Sequence, residues 1–465
     1  MNFKKKKLTI CIQGLGFVGS AMSVLIASTQ KKKKTLFNVY GLEQKTERGL
    51  EIIKELNEGK FITKNTDKKL KFILKNLKKK KNFYATYNPK VISKSNVVLC
   101  NVNSDLIKSP KKISWISKTL KNAIVTIGKY LPEKSLLIIE TTVPPGTCEK
   151  FVMPLLKKEF LKRKLNPSNI MLAHSFERVM PGENYLDSIK NYWRVYAANN
   201  NLAAKKCELF YKKIINTKKY KLTRLKSLTD SEFCKILENT YRAVNIAFID
   251  EWSRLAEKIN VDMFEVIKAI KYRKTHSNIM KPGFGVGGYC LTKDPLFGYI
   301  SASKLFKKKN IKFPITSMAV KVNDKMPISS INILRNEFKT LKNKTIGIMG
   351  ITYRENVGDY RYSPANFFAK EISKKGGKIL AYDPMVKIWK DYNNLDVSRM
   401  FNVSKVDAII LTVPHESFKK INYSKLIKNK KKLLILDSFN ILNDKQINQI
   451  NNKKCKIISI GRGLK

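Results

Sequence analysis

Leu8-Thr-Ile-Cys-Ile-Gln13 runs directly into Gly14-Leu-Gly16-Phe17-Val18-Gly19, and Ser20 to Ser28 follows as an apolar stretch. The first six residues are β-branched and apolar and read as a short buried strand. The stretch after the glycines reads as a helix. Strand, glycine-rich turn and helix form the context that gives a GxGxxG match its meaning. The glycines permit a tight turn and let the backbone approach a pyrophosphate, which then rests on the helix N-terminus. A second strand, Phe37 to Leu42, ends at Glu43. An acid there is placed to hydrogen-bond a ribose hydroxyl, which favours NAD over NADP. The spacing exceeds the usual ~20 residues, and the Lys31 to Lys34 run accounts for the excess as a loop extension.

Working outward, apolar strands alternate with helical stretches at Val97 to Val102, Ser135 to Glu140 and Ile170 to Ala173. Such alternation implies a doubly wound parallel sheet. Lys226 to Asn260 departs from it. Apolar residues recur there at helical spacing without Pro or Gly, so it reads as one long helix starting near Thr229-Asp230. The strand pattern restarts at Thr345 to Met349, passes through a helix at Ala365 to Lys375, and continues at Ile379 to Tyr382, Ala408 to Val413 and Leu433 to Asp437. The fold class is therefore α/β, with two Rossmann-like doubly wound domains joined by a helical central domain that contains the long helix. The boundaries read as 1–212, 213–330 and 331–465.

A chain of 465 residues is too long for one ordinary core, and its hydrophobic fraction of 43% suits a globular protein. No stretch reaches the ~18 to 20 uninterrupted apolar residues of a membrane span. The basic N-terminus followed by an apolar run imitates a signal peptide, but Gln13, Gly14, Gly16 and Gly19 interrupt it. The net charge is +56, nearly all of it from Lys, in a chain also rich in Asn and Ile, as AT-rich codons produce. The lysine runs (Lys4 to Lys7, Lys31 to Lys34, Lys78 to Lys81, Lys430 to Lys432) do not interleave with aromatics as a single-strand binding groove would. Weak non-specific polyanion binding follows from the charge, but no specific nucleic-acid site. The 7 cysteines include no CxxC pair. That argues against a disulfide framework and a zinc site, and fits a reducing cytoplasm.

The most informative segment for chemistry is Lys281-Pro-Gly283-Phe-Gly285-Val-Gly287-Gly-Tyr289-Cys290-Leu-Thr-Lys293-Asp294. A glycine-rich loop before a cysteine can present amides to an anion and leave a thiol exposed, and Lys281 and Lys293 would favour the thiolate. Asp294 lies one helical turn further on. The bland alternative is a buried Cys after a glycine turn. Lys235 and Asn239 share one face of the long helix and suit an oxyanion, against the alternative of ordinary polar positions. Glu140-Thr-Thr142-Val-Pro-Pro-Gly146-Thr147 ends a strand, where α/β sheets place ligands; otherwise it is a proline-stiffened turn. His174-Ser-Phe-Glu177-Arg178-Val-Met-Pro181-Gly182 follows another strand, and Tyr353-Arg354 to Arg361 lies in the C-terminal third.

Taken in chain order, these motifs resemble the nucleotide-sugar 6-dehydrogenase family, which includes UDP-glucose and UDP-N-acetylmannosamine dehydrogenases. The resemblance spans nearly the whole chain. It implies an NAD-binding first domain, a dimerising central domain and a UDP-sugar-binding last domain. Gly14, Gly16, Phe17, Val18, Gly19, Glu43, Thr142 and Arg361 would bind NAD. Cys290 would be the covalent nucleophile, Lys235 and Asn239 would stabilise oxyanions, Asp294 and Thr142 would position water, and Glu177 would act as base. Glu177, Arg178, Lys235, Asn239, Lys281, Gly283, Gly285, Gly287, Tyr353 and Arg354 would hold the UDP-sugar, with Arg273 reaching the site of a partner subunit in a homodimer. No metal is implied. The implied reaction is a four-electron oxidation of a C6 alcohol to a carboxylate through a thiohemiacetal and a thioester.

Several positions depart from the family pattern. Asn101-Val-Asn103-Ser104 replaces a proline-containing turn, Ser175-Phe176 replaces Ser-Pro, Arg354 replaces Lys and Phe439 replaces Arg. The Glu177-Arg178 segment is similar to the N-acetylhexosamine branch and Tyr289 to the glucose branch. An N-acetylated UDP-hexosamine is the expected substrate and UDP-glucose the alternative. The departures motivate a rival of another class, a catalytically idle nucleotide-sugar-binding protein. The charge alone motivates a third, a polyanion-binding protein.

Overall fold

The computed structural model describes residues 7–62, 67–109, 113–179, 182–427, 432–451 and 455–463. Met180 and Pro181 of the Glu177 to Gly182 motif, most of the N-terminal lysine run, and Lys430 and Lys431 lie outside the described residues. The chain divides into two compact units. One gathers most residues up to Glu238 together with Leu296–Lys312, and the other gathers Asn239–Pro295 and the chain from Phe313 onward.

The first unit is built on β1 (Leu8–Gln13), helix α1 (Phe17–Ser28), β2 (Phe37–Leu42), β3 (Phe83–Thr86), β4 (Val97–Cys100), β5 (Leu136–Ile139), β6 (Met171–His174), β7 (Arg194–Ala198) and β8 (Leu222–Arg224). The sheet order is β8-β7-β6-β5-β4-β1-β2-β3. The six strands from β6 to β3 are mutually parallel. Val97–Cys100 and Leu136–Ile139 are buried at every position, as central strands covered on both faces must be. The sequence reading expected a parallel sheet throughout, but β7 pairs antiparallel with β6 and carries β8 with it. Between β6 and β7 the described residues hold one short helix, Tyr185–Lys190. It returns from the end where it left β6, and that return needs no crossover. The Lys31 to Lys34 loop extension is a tight hairpin, Lys31 opposite Lys34, with Lys32 and Lys33 at φ 49° and 63°.

Helix α2 (Leu228–Lys258) spans 31 residues, about 46 Å at helical rise. Its cap lies slightly earlier than the Thr229-Asp230 reading. Ser227 Oγ accepts from Asp230 N at 3.0 Å and Asp230 Oδ2 accepts from Ser227 N at 3.0 Å, a reciprocal capping box.

In the second unit, β9 (Thr345–Met349), helix α3 (Pro364–Lys374), β10 (Lys378–Tyr382), β11 (Ala408–Leu411), β12 (Leu433–Asp437) and β13 (Cys455–Ser459) form a second sheet in the order β10-β9-β11-β12-β13. All its pairings are parallel. Ile346, Ile348, Ile410, Leu436, Phe368 and Ile372 meet in its core. The second Rossmann-like lobe expected from the sequence is thus present.

Candidate active site

The glycine turn after β1 has three glycines with three different constraints. Gly14 sits at φ +91° and donates its N–H to Leu42 O at 2.9 Å. A Cβ there would come within 2.9 Å of the Asn101 backbone, and one on Gly19 would lie 1.8 Å from Gly14 O. These two glycines let the turn close. A Cβ on Gly16 would meet nothing within 4 Å, and no side chain caps α1 at Gly16. The space beside Gly16 at the N-terminus of α1 is therefore open, which suits the approach of a pyrophosphate. Glu43 reaches the same turn: Oε2 accepts Leu15 N at 2.6 Å and Oε1 accepts Gln44 N at 2.8 Å. Phe17 and Val18 are half-buried in the first turn of α1. An open glycine turn at a helix N-terminus, with an acid beside it, makes a cradle that fits a dinucleotide.

The Asn101 to Ser104 departure has a local partner. Asn101 Nδ2 donates to Glu140 Oε2 at 3.1 Å, and the fully buried Glu140 also receives Tyr211 Oη at 2.9 Å and pairs with Arg194. Burial pushes the Glu140 carboxyl up, and the Arg194 guanidinium opposes that. The Asn101 turn after β4 is thus tied to the buried carboxylate at the end of β5.

Lys235 and Glu177 meet at the end of β6. The nearly buried Lys235 donates Nζ to Glu177 O at 3.1 Å and lies 5.4 Å from the Phe176 ring centre. Glu177 is half-buried, and its carboxylate accepts from Val179 N. Arg178 is engaged by Glu238 at 2.9 Å and by Trp193 O at 2.7 Å. Thr142 is half-buried in the turn after β5.

That turn is held by a residue the sequence reading did not single out. Glu232, buried on α2 one turn before Lys235, accepts Gly146 N at 2.6 Å and Cys148 N at 2.7 Å. Burial pushes its carboxyl up to about 8. A helix starting after Pro144-Pro145 needs an acceptor for its first amides, and an acid three residues before a candidate catalytic lysine was the available signal. His174 closes β6. It is fully buried, its Nδ1 lies 2.8 Å from Ser231 Oγ, and burial lowers it to about 3.

In the second unit, Cys290 is the exposed cysteine of the chain; the other six are buried or half-buried, and none forms a disulfide. The turn closes where Asp294 N donates to Cys290 O at 2.9 Å. Asp294 is fully buried; its Oδ2 accepts from Asn239 Nδ2 at 2.8 Å and its Oδ1 pairs with Lys293 Nζ at 2.9 Å. The Lys293 charge, read from the sequence as favouring the thiolate, thus pairs with Asp294 and lies 5.3 Å from the Tyr289 ring centre. Lys281 and Arg273 are exposed.

The loop glycines have a packing reason beyond their amides. A Cβ on Gly283 would lie 2.8 Å from the Phe439 ring, one on Gly285 2.7 Å from Pro364, and one on Gly287 2.7 Å from Tyr353 Cβ. Gly288 stands at φ +79°. Phe439 therefore fills space against the loop at the position where the family has Arg. Tyr353 and Arg354 are half-buried, and burial pushes the Tyr353 hydroxyl up. Arg361 makes a two-pronged contact with Asp359, at 3.0 and 2.9 Å, and lies 5.2 Å from the Tyr289 ring centre. Among the described residues no group of three or more His, Cys, Asp or Glu could hold a metal ion, and no helix is long and apolar enough to cross a membrane.

Comparison with known proteins agrees with this arrangement. The NAD binding domain of the UDP-glucose/GDP-mannose dehydrogenase family matches residues 8–215, its central domain 229–325 and its UDP binding domain 347–444. The chain is 31% identical to the UDP-N-acetyl-D-mannosamine dehydrogenase of Methanocaldococcus jannaschii, covering 93% of this chain and 92% of that protein. It is 29% identical to the enzyme of the same name from Pyrococcus horikoshii, covering 98% of this chain and 100% of that protein. The solved structure of the Pyrococcus horikoshii UDP-D-ManNAc dehydrogenase superposes with a TM-score of 0.80 at 26% identity, covering 98% of this chain and 100% of that one. A UDP-glucose dehydrogenase from Pyrobaculum islandicum shares the fold at 19% identity, with a TM-score of 0.82 and 99% of each chain covered. With its glycine cradle, its exposed cysteine loop and all three domains matched, the chain belongs to the UDP-glucose/GDP-mannose dehydrogenase family and is an NAD-dependent nucleotide-sugar dehydrogenase.

Proposed function

We propose that this enzyme oxidises the C6 alcohol of a UDP-N-acetylhexosamine to the carboxylate through a covalent intermediate on Cys290. The observation that carries the chemistry is the exposed Cys290 thiol one turn from the buried Asp294, which Asn239 and Lys293 hold in place. The relatives named UDP-N-acetyl-D-mannosamine dehydrogenases support the sugar class. Tyr289 beside Cys290 supports UDP-glucose as the second reading.

Gly14, Gly16, Phe17, Val18, Gly19, Glu43, Thr142 and Arg361 would hold NAD, which would supply the hydride acceptor for each oxidation. The remaining work falls to side chains. The Cys290 thiolate adds to the C6 aldehyde, forming a C–S bond that prevents escape of the aldehyde. Lys235 and Asn239 stabilise the resulting oxyanion, in the manner worth several kcal/mol (about 3–4) at a preorganised dry site. After the second oxidation, water positioned by Asp294 and Thr142 attacks the thioester. Glu177 takes its proton, and the C–S bond breaks to free the acid. The UDP-sugar is held by Arg178, Lys281, Gly283, Gly285, Gly287, Tyr353 and Arg354, with Arg273 reaching the site of a second subunit. The three domains divide at 1–212, 213–330 and 331–465. Seven cysteines without a disulfide support a reducing cytoplasmic setting.

The test is NADH stoichiometry with UDP-N-acetylmannosamine, UDP-N-acetylglucosamine, UDP-N-acetylgalactosamine and UDP-glucose. We expect two NADH per molecule of one N-acetylhexosamine substrate, and none from Cys290→Ala, which still binds NAD. Turnover of UDP-glucose alone favours the second reading. Nucleotide-sugar binding without NADH from any substrate makes the protein an idle binder and removes the proposal.

A further inference from the structure

At the start of the first unit's strands, opposite the glycine turn, lies a cavity of about 340 Å³. Leu8, Val97 and Leu136, which begin β1, β4 and β5, line it together with the buried Phe210. The other ends of these strands lead to Gly14, Asn101 and Glu140. The strand length of about 3.3 Å per residue therefore separates the cavity from the cofactor cradle. Its volume falls in the range of small-molecule sites, about 300–1,000 Å³.

The lining combines apolar side chains with an excess of basic ones. Lys94, Lys134, Lys206 and Lys213 line the cavity together with one acid, Glu133, whose Oε1 accepts from Asn169 Nδ2 at 2.9 Å. Lys94, Lys134 and Lys206 have no ion pair among the described residues; Lys206 Nζ instead donates to Lys134 O at 2.8 Å. Burial and the neighbouring Lys134 charge both lower the Lys206 ammonium. Four lysines against one carboxylate leave an excess of positive charge around the hollow, which complements a ligand that has an apolar body and an anionic head.

We propose that this cavity binds a small organic anion, a phosphate ester or a carboxylate with an apolar body, at a site separate from those for NAD and the nucleotide sugar. The surface is generally rich in lysine, so the decisive comparison is between a lysine that lines the cavity and an exposed neighbour that does not. Lys206 and Lys205 form that pair.

The full chain, saturated with NAD and UDP so that both known sites are filled, is titrated calorimetrically with phenyl phosphate, octanoate and inorganic phosphate. Saturable binding of phenyl phosphate or octanoate is expected, and whichever binds names the head group. The double variant Lys94→Gln/Lys206→Gln, checked for folding by circular dichroism, should weaken binding at least ~10-fold, and Lys205→Gln less than ~2-fold. The proposal is overturned if neither organic probe binds, if inorganic phosphate binds equally well, if Lys205→Gln loses as much as the double variant, or if the double variant binds like the parent.

Discussion

Gly14, Gly16 and Gly19 share a motif but not a reason. Gly14 and Gly19 are glycines because backbone atoms already occupy the place of a side chain, whereas Gly16 is open. Gly19→Ala should therefore destabilise the protein by about 1–3 kcal/mol, the usual overpacking cost. Gly16→Ala should leave melting nearly unchanged and raise the KM for NAD, because its methyl enters the space a pyrophosphate needs. Thermal melts with NAD titrations separate the two; equal stability losses would refute this division. His174 gives a pH prediction at the same scale. Burial holds it neutral down to about 3, against 6.5 in the unfolded chain. The unfolded state takes up the proton first as pH falls, so the stability His174 permits is complete above about 6.5 and is lost below it, at about 1.4 kcal/mol per pH unit. Denaturant unfolding at pH 7.5, 6 and 5 should show a shallower loss for His174→Asn than for the parent.

At the scale of elements, the two lobes use the same turn to different ends. Gly350 repeats Gly14, with φ +98° and its N–H on Tyr382 O at 2.9 Å. Asp383 repeats Glu43, accepting Ile351 N at 2.8 Å. Asp383, however, is buried, accepts Thr352 N and Met385 N as well, and lies 3.4 Å from His415 Nε2. Its carboxylate is used up inside the fold, so the second lobe keeps the shape of a dinucleotide turn without its acidic handle. Glu232 acts at the same scale, tying the turn after β5 to α2. Its carboxyl is raised to about 8 in the fold from 4.5, so its contribution to stability is greatest at low pH and declines as pH rises towards 8. Glu232→Gln cannot titrate. The stability of the parent relative to this variant should fall between pH 6 and pH 9; a constant difference would show that Glu232 does not titrate in that range.

The whole molecule shows an inverted pattern on α2. Lys235 and Asn239 are buried, while Tyr241, Phe248, Trp252 and Leu255 are each about half exposed, between 47% and 52%. A row of large apolar side chains left to solvent marks an interaction surface, and a second copy of the chain is the occupant we propose. Light scattering should find a dimer, and Phe248→Asp/Trp252→Asp should convert it to monomer while preserving the circular dichroism spectrum. A monomeric parent would remove the dimer. The net charge of +56 acts over the whole surface, and binding of unrelated DNA should weaken steeply with salt.

Local sequence determined what local physics controls. Leu433–Asp437 matches its strand residue for residue, and Val97 and Ala408 begin theirs where expected, because unbroken apolar runs have few other stable states. The glycine turn, the long helix and the cysteine loop were legible for the same reason: composition restricts the backbone there. Tertiary structure alone decided the antiparallel turn into β7, which depends on where the chain re-enters the sheet. It also decided the pairing of Asp294 with Asn239, the burial of Glu232 against two amides, and the place of Phe439 beside Gly283. Each joins residues tens to more than a hundred positions apart, and no spacing in the sequence records which distant side chain fills a given gap or satisfies a given amide.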